Sequence, residues 1–267
     1  MKKGVIAYID FLGTKGIWEK YDAKDVLEKL KHLRDNVLKQ HLAHGASYLE
    51  DVSKKGGPSI KTKAIFVSDT IAIAFWYDPA EEENLTPGAL VYIVGKVLAE
   101  FIREAASTDL LPSRIFRGCI TVGEFDYDES FLIGPAVDEA GAYHEQAAGA
   151  LVFIVPSAAK YLNEAIDYLR HLVKTGESTR EEACKSIEAL LFIPHEIQLK
   201  KAGNTVLPVL NPLAGESVEE QKNITQAILS AFDDPDPRVA KKRQNTEQFL
   251  GKCSSFSIEP WFWLANH

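Results

Sequence analysis

Two aspartates stand at the ends of apolar segments, where metal ligands are often placed. Asp10 follows the apolar run at residues 4–9 and precedes a glycine-containing turn. Asp69 lies at the polar tip of a hairpin predicted for residues 63–76. Mg²⁺ and Mn²⁺ prefer oxygen ligands and share the rest of their shell with substrate phosphates. If the first strand and the hairpin are neighbours, the two carboxylates could bind such ions; the alternative is that each aspartate only caps a strand or turn.

A third segment combines an arginine with glycine-marked turns. Arg117 begins the sequence Arg-Gly-Cys-Ile-Thr-Val-Gly-Glu at residues 117–124, and Gly-Pro-Ala-Val-Asp-Glu-Ala follows at 134–140. The first stretch is predicted to be a strand and the second to open a helix. Arg117 could bind an anion there, or it could be an exposed arginine at a strand end.

The pattern of apolar residues predicts an α+β fold. Strands are expected at 4–9, 64–67, 71–76, 115–122, 131–133, 151–155, 196–199 and 205–210, and helices at 22–43, 87–106, 135–148 and from 156. The order β-α-β-β-α-β indicates a ferredoxin-like split βαβ sandwich, an antiparallel sheet with helices on one face. We expect residues 1–212 to form this domain and residues 213–267 to form a helical C-terminal extension packed on it.

Composition restricts the possible partners. The chain has 267 residues, of which 46% are apolar, and a net charge of −8, which argues against binding to nucleic acid. Three scattered cysteines do not make a disulfide framework. The best candidate for a membrane span, residues 89–102, contains Lys96 and Glu100. We therefore expect a soluble, cytoplasmic protein without membrane or nucleic-acid partners. The basic cluster at 238–243 is interpreted as a solvated helix face.

Together these motifs resemble the catalytic domain of the class III nucleotidyl cyclases. The resemblance covers about residues 4–210 and is carried by Asp-Phe-Leu-Gly at 10–13, Ser-Asp at 68–69, Arg-x-x-Ile-x-x-Gly-Glu at 117–124, Gly-x-x-Val at 134–137 and a Lys-Gly hairpin at 199–203. Among these enzymes the chain looks most like the pyrimidine (uridylate or cytidylate) cyclases of the bacterial Pycsar antiphage systems. The resemblance implies an enzyme that converts a pyrimidine nucleoside triphosphate, UTP in preference to CTP, to a 3′,5′-cyclic second messenger of antiviral defence.

The resemblance also implies a site and an assembly. Two Mn²⁺ or Mg²⁺ ions would be bound by Asp10, Asp69 and the backbone carbonyl of Phe11. The groups implied to bind the triphosphate are the amides of Leu12, Gly13 and Thr14 and the side chains of Arg117 and Lys200, with Lys201 as an alternative to Lys200. The active species would be a homodimer with its sites at the interface, each site taking its metals from one chain and its base contacts from the other.

Departures from the family pattern leave alternatives open. Ile65 and Phe131 stand where purine cyclases carry polar residues that read the base, which favours a pyrimidine. Asp138 replaces a helix asparagine, and Ala142 replaces the arginine that stabilises the transition state. The alternatives are a purine (ATP or GTP) cyclase, a non-catalytic nucleotide-binding module of the same fold, and an unrelated metal-dependent phosphohydrolase or polymerase-like palm.

Overall fold

A computed structural model describes most of the chain. The residues that it describes are 1–12, 17–43, 60–77, 86–107, 115–176, 179, 191–200, 203–232 and 236–256.

One twisted sheet runs through the described residues. Its strands are β1 (Lys2–Phe11), β2 (Lys61–Val67), β3 (Thr70–Trp76), β4 (Phe116–Tyr127), β5 (Leu132–Ile133), β6 (Val152–Ile154), β7 (Phe192–Leu199) and β8 (Gly203–Leu210). The order is β2-β3-β1-β4-β6-β8-β7, with β5 paired to β4. β4 and β6 are parallel, whereas the other paired strands are antiparallel. The two predicted hairpins are present.

The helices follow the predicted apolar periodicity, with different ends. They are α1 (Ile17–Lys20), α2 (Ala23–His32) continued by a π-helical segment (Leu33–Leu38), α3 (Pro87–Ser107), α4 (Pro135–Tyr143), α5 (Pro156–Thr175), α6 (Val218–Ser230) and α7 (Pro237–Ser255). Helix α4 ends five residues before the predicted boundary at 148, because Ala147 leaves the helix to pair with Leu199. None of the helices in the described ranges is long and apolar enough to cross a membrane.

Helices cover both faces of the sheet, although they were predicted on one. Phe101 of α3 packs on Phe116, whose side chain lies on the same face as Ile9 and Phe11. On the opposite face, the Thr121 hydroxyl donates to the carbonyl of Ala136 in α4 at 2.9 Å. Tyr8 and Asp10 project to this α4 face because strand side chains alternate.

The C-terminal helices share the hydrophobic core of the sheet. Ile224 and Ile228 of α6 and Phe249 and Leu250 of α7 are buried in one cluster with strand residues. Helix α6 begins with a capping box, in which the Ser217 hydroxyl accepts from the N–H of Glu220 and the Glu220 carboxylate accepts from Ser217. Local sequence therefore fixes the start of α6, and apolar packing holds it on the sheet.

Candidate active site at the end of strand β1

The two predicted metal ligands lie side by side at the end of β1. In the β1–β3 register Asp10 is opposite Thr70. Asp69 immediately precedes Thr70 in the chain, so it is one residue away from the pairing partner of Asp10. The backbone N–H of Phe11 donates to the carbonyl of Asp69 at 2.9 Å, which fixes the hairpin tip beside β1. Ser68 completes the turn with a φ of 56°. The structure thus brings together the pair of aspartates that the sequence indicates.

Asp10 forms a buried ion pair with Arg117. The two residues are direct partners in the β1–β4 register, and Asp10 is 5% exposed. Both Nε and Nη2 of Arg117 donate to Oδ2 of Asp10, at 3.0 and 2.8 Å. Oδ1 of Asp10 accepts no hydrogen bond from any residue that the structure describes. Arg117 therefore orients the carboxylate and leaves one oxygen for another ligand.

The electrostatics of Asp10 reflect its burial. Burial raises the pKa of this carboxyl above its ordinary value, the hydrogen bonds and charge of Arg117 oppose that shift, and the charge of Asp69 adds to it. Two carboxylates this close repel each other unless a cation lies near both. Arg117 supplies part of that positive charge and orients the Asp10 carboxylate, and a divalent cation near both carboxylates would supply the rest.

The segment that follows α4, residues 144–150, links Arg117 to the late hairpin; we name it the 144–150 loop. Nη1 of Arg117 donates to the carbonyl of Glu145 at 3.3 Å, and the N–H of Lys200 donates to the carbonyl of Gln146 at 3.3 Å. The Glu145 carboxylate lies 3.9 Å from both Arg117 Nη2 and Lys200 Nζ. Lys200 therefore lies in the same cluster as Arg117 of its own chain.

Tyr8 and His144 extend the site along the α4 face of the sheet. Their rings meet edge to face with centroids 5.5 Å apart. Burial raises the pKa of Tyr8, with Cys119 and Asp138 adding to the shift. His144 is held by a contact of 2.9 Å between Nδ1 and the carbonyl of Gly141. Sequence reasoning did not identify Tyr8, His144 or Glu145 as residues of the site. His144 and Glu145 were missed because the predicted helix, 135–148, included the turn that contains them.

The predicted phosphate cradle needs a correction. The N–H of Leu12 donates to the carbonyl of Ile115 at 2.9 Å, so the prediction that this amide binds phosphate is wrong for this conformation. β1 ends at Phe11, two residues beyond the predicted end at residue 9, and its pairing with β4 extends to Leu12 and uses the donor. Gly13, Thr14 and Lys201 lie outside the described residues.

The three residues assigned to the base pocket are spread over the sheet. Ile65 is partly buried in β2 opposite Ala72, whereas Phe131 is 64% exposed beside β5. Asp138 is exposed in the first turn of α4. β2 and β4 are three strand spacings apart, about 14 Å, so Ile65 and Phe131 lie on different parts of the sheet. Ala142 is exposed as well and offers no polar side chain.

The donor set fits a hard divalent cation. Oδ1 of Asp10, the carboxylate of Asp69 and the carbonyl of Phe11 are all oxygens, which Mg²⁺ and Mn²⁺ prefer to nitrogen or sulfur. In the part of the chain that the structure describes, no group of three or more histidine, cysteine, aspartate or glutamate side chains is arranged for a metal. A metal at the two aspartates would thus take further oxygen ligands from bound phosphate or water.

Comparison with known proteins gives a limited result. No protein-family model matches the sequence, and no curated protein matches it. Solved structures that resemble it include the catalytic core of a rhodopsin-guanylyl cyclase with converted specificity in complex with ATPalphaS, at 12% identity and a TM-score of 0.47 over 79% of this chain and 95% of that one. A monomeric double mutant of the guanylyl cyclase domain of the RhoGC fusion protein from the aquatic fungus Blastocladiella emersonii has 12% identity and a TM-score of 0.48, with the same coverage. The monomeric domain of that fusion protein has 12% identity and a TM-score of 0.42 over 61% of this chain and 86% of that one. These values carry no argument about activity.

Proposed function

We propose that the chain is a metal-dependent nucleotidyl cyclase that converts a pyrimidine nucleoside triphosphate to its 3′,5′-cyclic monophosphate and pyrophosphate. The observation that supports it best is the buried carboxylate of Asp10, oriented by Arg117 through one oxygen and open at the other, beside Asp69. The order of the Asp10, Asp69, Arg117 and Gly134 motifs, which resembles that of class III cyclases, adds to it.

Each described residue has a definite part in this proposal. Asp10, Asp69 and the Phe11 carbonyl would bind two Mn²⁺ or Mg²⁺ ions, which supply charge stabilisation and lower the pKa of the attacking 3′-hydroxyl when bound. Arg117 keeps Asp10 ionised and in place, because an unpaired carboxyl at this depth would be protonated more readily. Arg117 and Lys200 also offset the charge of the triphosphate, with Lys200 being exposed and able to move.

A pyrimidine base is favoured by the apolar character of Ile65 and Phe131. Neither side chain can hydrogen-bond to the exocyclic groups that distinguish adenine or guanine, and a site without such partners discriminates poorly in favour of a purine. UTP is placed ahead of CTP on the resemblance to the Pycsar enzymes alone. The same resemblance is the basis for proposing a second messenger in antiviral defence.

A homodimer is part of the proposal. In the class III cyclases that the chain resembles, each site takes its metals from one chain and its base contacts from the other, and this chain carries both the aspartate pair and the base-side residues Ile65 and Phe131. Closed two-fold assemblies are the commonest oligomers. Lys200, by contrast, is expected to serve the site of its own chain, since it shares Glu145 with Arg117.

A second candidate is a non-catalytic nucleotide-binding module of the same fold. Ala142 favours it, because this exposed position offers no cation to the transition state. Arg117, moreover, already donates two hydrogen bonds to Asp10. In this candidate the site would bind a nucleotide and leave it intact.

One experiment separates the candidates. Purified protein is incubated with ATP, GTP, CTP or UTP and Mn²⁺, and the products are resolved by mass spectrometry. Cyclic UMP or cyclic CMP, absent with an Asp10→Asn variant, supports the proposal. Formation of only cyclic AMP or cyclic GMP would indicate purine instead of pyrimidine specificity. Binding without turnover would favour the non-catalytic nucleotide-binding module. Linear mono- or diphosphate products would indicate a phosphohydrolase.

A further inference from the structure

The basic cluster at 238–243 does not form a uniformly solvated face. Lys241 and Arg243 are exposed, but Lys242 is partly buried. Arg238 contacts Asp236 at the start of α7, where both Nε and Nη2 donate to Oδ2 of the carboxylate. The interpretation of this cluster as solvated thus fails at Lys242, and its surroundings give the reason.

Helix α7 is anchored on the 144–150 loop around Lys242. The Thr246 hydroxyl accepts from the N–H of Ala150 at 2.9 Å and donates to the carbonyl of Lys242 at 2.8 Å. The side-chain amide of Asn245 donates to the carbonyl of Ala148 at 2.6 Å. A Cβ at Gly149 would lie 3.1 Å from Thr246 Oγ1, so the loop and the helix approach closely. This turn of α7 is therefore held at the loop that already contacts Arg117 and Lys200.

The charges of the site act on Lys242. Burial lowers the pKa of its ammonium group, Arg117 and Lys200 lower it further, and Asp10 raises it. Arg117 lies in β4, Lys200 in the turn between β7 and β8, and Asp10 in β1, so charged groups from three elements act on one side chain of α7. The ammonium group makes no hydrogen bond or ion pair with any residue within the described ranges. Bringing three cations together costs free energy unless an anion of several charges joins them.

We infer that Lys242 is a polyphosphate-binding residue, presented by the C-terminal helix to the site at the end of β1. It completes a cationic cluster with Arg117 and Lys200, while Glu145 and Asp10 are the anions of the cluster in the free protein. The inference rests on the proposed function, since it names a further contact of the same triphosphate. It assigns α7 a role beyond packing.

The test measures binding of inorganic triphosphate with Mn²⁺ by calorimetry at constant ionic strength. Lys242→Met removes the charge but keeps an unbranched stem, and Lys241→Met is the matched control, because it changes the net charge equally at an exposed neighbouring position. We expect about tenfold weaker binding for Lys242→Met, the size of one charge-assisted hydrogen bond. Lys241→Met should stay within about twofold of the wild type, as expected for a screened surface charge. Lys242→Arg should retain most of the affinity.

Labelling of the unaltered chain keeps the test independent of how the variants fold. Lysines are acetylated with an N-hydroxysuccinimide ester, with and without triphosphate, and quantified by mass spectrometry; Lys242 should be protected and Lys241 should not. Equal affinities of the Lys242→Met and Lys241→Met variants, or equal labelling of Lys242 in both conditions, would overturn the inference and leave the proposed function standing. Failure of the wild type to bind triphosphate or any nucleoside triphosphate would overturn both.

Discussion

Arg117 donates two hydrogen bonds to one oxygen of Asp10 and leaves the other oxygen without a partner among the described residues. This asymmetry separates two tasks within one carboxylate. Oδ2 is used for orientation and charge balance, and Oδ1 is available to a ligand. Among the described residues, Oδ1 of Asp10 is not one of the buried side-chain atoms that lack a partner, so it reaches solvent and is open to a ligand.

Asp10→Asn and Asp69→Asn should each reduce cyclase turnover by at least about a thousandfold, because each removes a charged metal ligand. Asparagine at position 10 still offers an oxygen to Arg117, so the fold should be kept better than with alanine. Turnover is measured by product formation at saturating Mn²⁺, with Glu164→Gln, an exposed acid on α5, as the control. Activity within about tenfold of wild type in both aspartate variants would contradict the metal assignment.

Arg117→Met should destabilise the fold by about 3–5 kcal/mol near neutral pH, because it leaves Asp10 buried without its counterion. The double variant Asp10→Asn/Arg117→Met should recover a large part of that loss, which a double-mutant cycle in urea measures. The single variant should lose less stability as the pH falls toward the ordinary carboxyl value of 3.8, where Asp10 can take up a proton. A pH-independent loss would mean that packing of the arginine, rather than the charge of Asp10, is responsible.

Sequence reasoning found the parts of the site that depend on local pattern. Asp10 and Asp69 follow apolar runs whose strand character is evident, and the hairpin brings them together. It failed where tertiary pairing decides the outcome. The Leu12 amide is used by Ile115, a partner more than a hundred residues away in the chain, and nothing local indicates that bond. The alanine-rich segment after Pro135 favours a helix by propensity, yet the bridge of Ala147 to Leu199 ends it and creates the 144–150 loop.

Mn²⁺ affinity should rise with pH through the acid range and level off once Asp10 has lost its proton. The folded-state pKa of Asp10 is raised, mainly by burial, so metal binding should weaken at a higher pH than an ordinary aspartate would predict. Binding is followed by the electron paramagnetic resonance signal of free Mn²⁺. Asp10→Asn removes this titrating ligand, so identical pH profiles for the wild type and the variant would contradict the role of Asp10.

The wild-type chain should form a homodimer that uses the exposed apolar residues beside β4. Phe131 and Ile133 are 64% and 61% exposed and, two residues apart, project to the same side of β5. Contiguous exposed apolar surface can mark a protein–protein interface, and these two side chains are candidates for such a contact. Ile133→Lys should therefore shift the sedimentation profile from twice the mass of one chain to the mass of one chain, and turnover should fall with it.

Val218→Lys is the matched control, since Val218 is 71% exposed at the start of α6, away from β5. A wild type that stays monomeric at the concentrations where it turns over substrate would show that each site is complete within one chain. In that case Ile65 and Phe131 would not supply base contacts to the site of a partner chain.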